Sequence, residues 1–258
     1  MKRLFIFGFG YTSARVAALF AQHGWEVVST GRNGTLSFDD EGGVRVALAD
    51  AGHVLSSVPP AADGDPVLAR YGDALAGKWL GYLSSTGVYG DARGAWVDES
   101  APIGTGRRTA RSEADALWLA QGARVFRLPG IYGPGRSALD RVREGTAHRI
   151  AIPDQVFSRV HVDDIAQGVW LGLAAPAGAY NLADDLPCSQ NTVIEGACRL
   201  LGVEPPPLLT LEEANLSPMA RAFYAENRRV ANGKARRVLG WQPRYTTWRE
   251  GLAALLSA

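Results

Sequence analysis

Lysine, cysteine and long apolar runs are all scarce in this sequence of 258 residues. Lysine occurs only at Lys2, Lys78 and Lys234, and every other basic residue is arginine, which we interpret as compositional bias. The net charge of +1 gives no indication of a nucleic acid or an acidic membrane as a partner. No apolar segment approaches the roughly 20 residues of a membrane-spanning helix. We therefore expect neither nucleic acid nor a membrane among the partners.

The two cysteines, Cys188 and Cys198, are too few for a disulfide framework. They are typical of reduced thiols, so a cytoplasmic location is expected. No cluster of histidine, cysteine and acidic residues has the spacing of metal ligands, and no G-x-S-x-G nucleophile motif occurs. The sequence therefore predicts no metal site. Its composition, 47% hydrophobic and 21% charged, is ordinary for a globular protein.

The clearest local pattern is a glycine turn near the start of the chain. The apolar residues 4–7 predict a buried strand, Gly8 and Gly10 follow at once, and the next segment has helical spacing. This context indicates a dinucleotide site, in which Gly8 allows the tight turn and Gly10 lets the backbone approach a pyrophosphate. The helix N-terminus facing the anion would comprise Tyr11, Thr12 and Ser13, the last in place of the third glycine. A strand, turn and helix of another α/β fold is the alternative.

The end of the second predicted strand, residues 25–30, favours NADP over NAD as the cofactor. A dinucleotide site selects its cofactor about 20 residues after the glycine turn, where a carboxylate would accept a hydrogen bond from a ribose 2′-hydroxyl. Here the chain has Gly31, Arg32 and Asn33 and no carboxylate. The Arg32 guanidinium matches the geometry of a 2′-phosphate. NAD remains the alternative, in which Arg32 is only a solvated turn residue.

Strand and helix segments alternate through the first half of the chain. The predicted strands after the first are residues 25–30, 44–48, 53–58, 80–84 and 124–128, and the predicted helices are 65–76 and 108–121, the latter with Leu117 and Trp118 on its apolar side. Little sequence separates 44–48 from 53–58, so the helix between them is expected to be short or absent. This alternation predicts an α/β fold with a Rossmann-type, doubly wound parallel sheet.

The pattern is less regular after residue 130. The predicted elements are a strand at 157–162 and helices at 138–143, 163–174, 189–201 and 248–256. Asp163 is expected to cap the helix that follows it, because a carboxylate there accepts hydrogen bonds from free amides. The basic segment 228–237 is expected to be helical, with its arginines on a solvated face.

Several short motifs follow one another in a fixed order along the chain. They are G-x-G at 8–10, S-S-T-G-V-Y-G at 84–90, D-E-x-x-P at 98–102, R-L-P-G-I-Y-G-P-G at 127–135, R-V-H-V-D-D-I-A at 159–166 and Y-N-L-A at 180–183. Together they resemble the extended short-chain dehydrogenase/reductase family, the NAD-dependent epimerases and dehydratases of nucleotide sugars. The resemblance implies a Rossmann domain at 1–130, completed by parts of 155–185, and a mainly substrate-binding α/β region at 131–258.

The resemblance also implies roles for particular positions. Ser85 matches the family's residue that hydrogen-bonds the reacting oxygen, and Thr86 matches a position that carries an acid in dehydratases. Pro129, Gly130 and Ile131 match the segment that lines the nicotinamide face. Ser56, Ser57 and Val58 match the stretch that passes the ribose and phosphates of the cofactor.

The main departure from the family concerns its catalytic Tyr-x-x-x-Lys pair. In the family the tyrosine gives or takes the proton, and the lysine lowers its pKa and holds the ribose. Residues 91–130 contain neither tyrosine nor lysine. Depending on register, the pair falls on Arg107 and Arg111 or on Thr105 and Thr109. An arginine such as Arg111 suits a ribose but is a poor base, because it stays protonated.

Four further residues have open interpretations. Tyr89 in its V-Y-G segment is expected to be structural, and His161 is expected to be a packed, hydrogen-bonded side chain. Tyr132 and Arg136 flank a loop that suits a substrate phosphate, and an ordinary loop role is the alternative.

Two functions from different classes follow from these observations. The first is an NAD(P)-dependent oxidoreductase or epimerase that acts on a small hydroxylated substrate, for which a nucleotide-linked compound is one option. The second is a cofactor-binding sensor or assembly protein without turnover, which the missing tyrosine and lysine favour. The family's helix packing also suggests a homodimer through helices 65–76 and 108–121.

Overall fold

The central element of the fold is a six-stranded parallel sheet. The computed structural model describes residues 2–104, 109–217, 221 and 224–257. In chain order the strands are β1 (Arg3–Phe7), β2 (Glu26–Thr30), β3 (His53–Ser56), β4 (Trp79–Ser85), β5 (Trp96–Val97), β6 (Arg124–Leu128), β7 (Gly130–Tyr132), β8 (Arg149–Ile150), β9 (Arg159–His161), β10 (Gly178–Asn181), β11 (Leu208–Leu209) and β12 (Arg229–Val230). The central sheet has the order β10-β6-β4-β3-β1-β2, which confirms the predicted Rossmann-type fold.

Helices cover both faces of this sheet. They are α1 (Tyr11–Gln22), α2 (Glu41–Asp50), α3 (Pro66–Tyr71), α4 (Thr109–Ala120), α5 (Ala138–Arg143), α6 (Val162–Leu171), α7 (Gln190–Leu201) and α8 (Trp248–Leu256). Alternate side chains of β1 enter two different cores, because successive residues of a strand point to opposite faces. Leu4 and Ile6 pack with α1 and α6, whereas Phe5 and Phe7 pack with α2, α3 and α4.

The strand predicted at 44–48 is wrong, because these residues lie inside α2. The Asp40 carboxylate caps this helix by accepting a hydrogen bond from the Gly43 amide at 3.0 Å. Val44 and Leu48 are both fully buried and lie one helical turn apart. Their spacing of four residues is therefore that of the apolar face of a helix. The crossover helix before β3 is therefore present, contrary to the expectation that it is short or absent.

The helix predicted at 108–121 is described from Thr109 to Ala120. Trp118 is fully buried, as expected, but Leu117 is 50% exposed, so its predicted place on the apolar side is wrong. The helix predicted at 65–76 divides into α3 and a short 3₁₀ segment, Gly72–Leu75. Asp65 begins it by accepting hydrogen bonds from the Val67 and Leu68 amides, both at 3.0 Å.

The second half of the chain forms a smaller group of elements around α5, α7 and α8. Strands β7 and β9 pair in parallel, and a third core contains Leu139, Ile194, Trp248 and Leu252. Strand β10 then returns to the edge of the central sheet beside β6. The division into regions 1–130 and 131–258 remains a prediction.

Two predictions for the second half need correction. Helix α6 begins at Val162, and its capping side chain is His161 rather than Asp163, because His161 Nδ1 accepts a hydrogen bond from the Asp163 amide at 3.2 Å. The basic segment 228–237 is not one helix. It contains β12, which pairs with β5, and a π-helix at Ala235–Leu239.

Within the described ranges, no helix has the length and apolar character needed to cross a membrane. The same residues contain no group of three or more histidine, cysteine, aspartate or glutamate side chains placed to hold a metal ion.

Candidate cofactor and active site

The glycine turn between β1 and α1 has the shape of a phosphate-binding turn. Gly8 has φ +84°, and a Cβ atom there would lie 3.1 Å from Val58 Cγ2. At Gly10 the opposite holds, because no described atom apart from those of Gly10 and its two chain neighbours lies within 4 Å of the position of a Cβ atom. The turn thus requires glycine at position 8 for its conformation and leaves open space at Gly10.

Ser13 does more in this turn than its small size suggests. Its side chain is fully buried, and Oγ donates a hydrogen bond to the Gly8 carbonyl at 2.6 Å. The same oxygen accepts a hydrogen bond from the Gly10 amide at 2.7 Å. The hydroxyl therefore closes the turn where the family's motif has a third glycine.

The first turn of α1 is suited to an anion. The first amides of a helix have no acceptor within the helix, and the helix dipole favours negative charge beside them. No acidic residue lies in the first turn of α1. The open space at Gly10 lies at this helix end, so the residues present fit the pyrophosphate of a dinucleotide cofactor. Tyr11 itself turns to the neighbouring loop, where its hydroxyl donates to the Pro134 carbonyl at 3.1 Å.

A second feature lies at the carboxyl end of β2. A cavity of about 490 Å³ there is lined by Gly31, Arg32 and residues 34–38. The Phe9 amide donates to the Thr30 carbonyl at 2.7 Å, which joins this end of β2 to the glycine turn. Asn33 is exposed and is not among the residues that line the cavity. Of the two predicted selectivity residues, only Arg32 therefore borders this space.

The end of β3 supports the glycine turn from the other side. The Ser57 amide donates to the Phe7 carbonyl at 2.8 Å, and Val58 packs against Gly8. Ser56 is fully buried, and its Oγ lies 3.4 Å from the Val58 amide. Ser56 and Val58 thus shape the turn, whereas Ser57 also borders the cavity at the ends of β4 and β6.

This cavity, of about 440 Å³, brings together most of the residues that the sequence motifs single out. The predicted residues that line it are Thr12, Ser57, Ser85, Thr86, Arg111, Pro129, Gly130 and Ile131. Its lining also includes Arg136, Glu226 and Arg228 from the second half of the chain. No local motif marks Glu226 and Arg228, which immediately precede strand β12 and its pairing with β5.

Ser85 lines this cavity with its hydroxyl-bearing side chain. Its Oγ accepts a hydrogen bond from the Gly87 amide at 3.1 Å, at the start of the 3₁₀ turn that follows β4. This bond uses a lone pair and leaves the hydroxyl hydrogen available to a bound acceptor. Thr86 beside it is only 4% exposed. Both hydroxyl-bearing side chains line the cavity.

Arg111 reaches the cavity from α4. Its Nη1 donates to the Tyr82 hydroxyl at 2.9 Å, and burial raises the pKa of Tyr82 to about 12. Tyr82 is therefore neutral at pH 7 and anchors the guanidinium as a hydrogen-bond acceptor. Thr109 does not border the cavity, whereas Thr105 and Arg107 lie outside the described residues.

A buried polar network lies beneath the cavity. The Arg127 guanidinium pairs with the Asp115 carboxylate at 2.7 Å, and both side chains are almost fully buried. Ser84 Oγ donates to Asp115 at 2.6 Å, and Arg127 Nη1 donates to the Tyr89 hydroxyl at 3.0 Å. Tyr89 in turn donates to Asn181 Oδ1 at 2.8 Å. The network joins β4, α4, β6 and β10, and it confirms the structural role predicted for Tyr89.

His161 is a packed side chain, as predicted. It is 1% exposed, and burial lowers its pKa to about 4, so the ring is neutral at pH 7. Its Nδ1 caps α6, and in the described part of the chain its Nε2 has no hydrogen-bond partner. It lines neither the cavity at the end of β2 nor the cavity at the ends of β4 and β6.

Another cavity, of about 720 Å³, adjoins the one at the ends of β4 and β6, and the two share Gly130, Ile131, Arg136, Phe157 and Ser158. We call the cavity at the ends of β4 and β6 the first cavity and this larger one the second cavity. Two further guanidinium groups, of Arg141 and Arg159, line this space. Burial lowers the pKa of both arginines. Arg159 donates hydrogen bonds to the neutral acceptors Phe157 O and Cys188 O. The carboxylates of Asp140 and Glu144 also line this space, so it carries charges of both signs and has room for a sizeable ligand.

Comparison with known proteins places this architecture in a class. No model of a protein family matches the chain. The chain is 30% identical over 143 residues to the 3-diazoavenalumate denitrifying reductase of a Streptomyces species, a match that spans 50% of this chain and 45% of that protein. It is 28% identical over 242 residues to Protein YeeZ of Escherichia coli strain K12, a match that spans 80% of this chain and 86% of that protein.

Solved structures match this chain over nearly its whole length. A conserved protein of unknown function from Silicibacter pomeroyi is 40% identical, with a TM-score of 0.89, over 100% of this chain and 99% of that one. The dTDP-glucose 4,6-dehydratase of Bacillus anthracis, in complex with NAD, has 14% identity and a TM-score of 0.78 over 100% and 96% of the two chains. The UDP-glucose 4-epimerase of Thermus thermophilus, also in complex with NAD, has 17% identity and a TM-score of 0.75 over 99% and 98%.

The fold that these matches show is that of the NAD-dependent epimerases and dehydratases. Within it, the chain belongs to one family with the S. pomeroyi protein. The resemblance expected from the motifs is therefore confirmed, and the lack of tyrosine and lysine in residues 91–130 is consistent with an atypical member.

Proposed function

We propose that the protein is a cytoplasmic NAD(P)-dependent oxidoreductase or epimerase acting on a small hydroxylated, nucleotide-linked substrate. The observation that carries this proposal is the cavity of about 440 Å³ at the ends of β4 and β6. Ser85, Arg111 and Ile131 all border it, and it lies next to the second cavity, whose lining includes three arginines. The carboxyl ends of parallel strands are where ligands bind in such folds.

The residues around the glycine turn would hold the cofactor. The first amides of α1 and the open space at Gly10 suit its pyrophosphate. Pro129, Gly130 and Ile131 suit the nicotinamide face, and Arg111 suits the nearby ribose. When bound, a nicotinamide dinucleotide supplies a centre that accepts or donates hydride. Ser85 would donate a hydrogen bond to the substrate oxygen and so hold the reacting carbon in position.

The substrate class rests on the second cavity and on the relatives. Arg136, Arg141 and Arg159 line that cavity, and guanidinium groups bind phosphates well. The names of the dehydratase and the epimerase refer to dTDP-glucose and UDP-glucose, which supports a nucleotide sugar. The name of the Streptomyces reductase supports reduction as the direction of hydride transfer.

We further propose NADP as the preferred cofactor and a homodimer as the assembly. Arg32 borders the cavity at the end of β2, and no carboxylate stands at positions 31–33 to accept from a ribose hydroxyl. For the dimer, the exposed Leu117 on α4 supports an interface on the helices of that face.

A second candidate function is cofactor binding without turnover. It is favoured by one observation, the absence of tyrosine and lysine from residues 91–130. The two candidates differ in hydride transfer. Purified protein with NADPH or NADP⁺ and a panel of nucleotide sugars, monitored by absorbance at the wavelength of the reduced nicotinamide, is expected to turn over at least one of them. Cofactor binding with no absorbance change across the panel would favour the second candidate.

A further inference from the structure

A short segment from the last third of the chain, residues 226–230, forms one wall of the first cavity. Asn227 fixes it in place from two sides. Its backbone amide donates to Asp91 Oδ1 at 2.9 Å. Its side-chain Nδ2 donates to the Asp154 carbonyl at 2.8 Å, and its Oδ1 accepts from the Val156 amide at 3.1 Å. The Val230 amide donates to Ser158 Oγ at 2.9 Å. Glu226 and Arg228 therefore line the cavity on a firmly held backbone.

Glu226 and Arg228 form an ion pair close to Ser85. Arg228 Nη1 donates to Glu226 Oε2 at 2.9 Å and to the Gly90 carbonyl at 2.5 Å. The position of a Cβ atom on Gly87 lies 4.0 Å from Arg228 Nη2 and 3.3 Å from Ser85 Oγ. The guanidinium and the Ser85 hydroxyl therefore flank the same point of the cavity wall. The Glu226 side chain is only 9% exposed.

The chemistry of the cavity lining singles out Glu226. The other charged side chains among its described lining residues are Arg111, Arg136 and Arg228, and guanidinium groups stay protonated. Within that described lining, Glu226 is the one carboxylate. A carboxyl group exchanges protons under ordinary conditions, and general acid–base catalysis uses it in many enzymes. The cavity thus contains a group able to do the work of the missing tyrosine.

We propose that Glu226, oriented by Arg228, exchanges the proton with the reacting oxygen of the substrate, a role that rests on the proposed function. In the oxidation direction, the hydrogen on the substrate carbon leaves as hydride to the nicotinamide. The O–H bond breaks, its proton passes to a carboxylate oxygen of Glu226, and its electron pair forms the C=O bond. In the reduction direction the same carboxyl group returns the proton to the oxygen as the carbon receives hydride.

A binding experiment tests the position of Glu226 without any turnover. The oxidised nicotinamide ring carries a positive charge that the reduced ring lacks, so a nearby carboxylate favours the oxidised form. Calorimetric titration with NADP⁺ and NADPH is expected to show that Glu226→Gln lowers the ratio of the two affinities, on the order of tenfold in favour of NADPH. Glu113→Gln, which removes an exposed carboxylate from α4, is expected to leave the ratio unchanged.

A kinetic experiment tests the proton transfer itself. With a substrate found in the nucleotide-sugar panel, Glu226→Gln is expected to slow single-turnover hydride transfer by about a hundredfold or more, because removal of a general acid or base has effects of that size. Glu226→Asp is expected to keep the affinity ratio and part of the rate. Added formate is expected to restore part of the rate of Glu226→Ala, which a purely structural carboxylate would not allow.

The outcomes separate this proposal from the proposed function. A wild-type rate and affinity ratio in Glu226→Gln would overturn the role of Glu226 while leaving the oxidoreductase intact. A wild-type protein that transfers no hydride to any member of the panel would overturn the proposed function and, with it, the proton transfer. If Glu226→Gln does not fold, a wild-type affinity ratio and a wild-type rate in Glu226→Ala, with no effect of added formate, would contradict the proposal.

Discussion

At the scale of single residues, Ser13 shows how one side chain completes a motif that lacks its third glycine. Its buried hydroxyl bonds to both the Gly8 carbonyl and the Gly10 amide. Ser13→Ala removes both bonds and leaves these two groups only their mutual hydrogen bond at 3.1 Å, so we expect the free energy of unfolding to fall by about 1–3 kcal/mol in urea titrations. Ser37→Ala, at an exposed hydroxyl, is the matched control and is expected to change it by less than about 0.5 kcal/mol. Equal losses in the two variants would contradict this role for Ser13.

Arg32 carries the second prediction at the residue scale. A 2′-phosphate bears up to two negative charges, and a charge-assisted hydrogen bond to it predicts a roughly ten- to hundredfold preference for NADPH over NADH. Arg32→Ala is expected to remove most of this preference and to leave the affinity for NADH nearly unchanged. Titration of both cofactors against both proteins measures it. Equal affinities in the wild type, or an unchanged ratio in the variant, would mean that Arg32 is only a solvated turn residue.

At the scale of secondary-structure elements, one buried ion pair links α4 to β6 below the cavity. Asp115 and Arg127 are 0% and 3% exposed, and the loss of one partner leaves an uncompensated buried charge. Asp115→Asn is therefore expected to lower the free energy of unfolding by about 3–5 kcal/mol. Glu195→Gln, in the partly exposed pair with Arg149, is expected to cost no more than about 1 kcal/mol. Similar unfolding midpoints for the two variants would contradict the stabilising role of this buried ion pair.

The elements also show what the sequence could and could not predict. Buried strands with glycine punctuation were predictable, because β1 and its turn depend on local pattern alone. The strand predicted at residues 44–48 was wrong because a short apolar run fits a strand as well as a helix. Only the burial of both Val44 and Leu48 decides between the two. Glu226 and Arg228 could not be predicted as site residues, because their place depends on the pairing of β12 with β5 across more than a hundred residues.

At the scale of the whole molecule, the assembly is open to a direct test. Leu117 is 50% exposed on α4, where the proposed dimer interface lies. Light scattering at tens of micromolar is expected to give the mass of a dimer, and Leu117→Asp is expected to give that of a monomer, because an interface loses stability when a charge is buried in it. Leu200→Asp, at an exposed leucine of α7, is the control and is expected to stay dimeric. A wild-type protein with the mass of one chain would rule out the dimer.

Pyrophosphate binding at Gly10, in the turn between β1 and α1, is the proposal on which the other assignments of the cofactor site depend. A calorimetric titration of NADPH into wild-type protein and Gly10→Val tests it most directly, with Gly52→Val as the control, since the space around Gly52 is equally open but lies away from the turn. We expect one cofactor per chain in the wild type and in Gly52→Val, and no measurable binding to Gly10→Val, because the valine fills the space that the pyrophosphate needs. Binding of equal strength to Gly10→Val and wild type would contradict the claim.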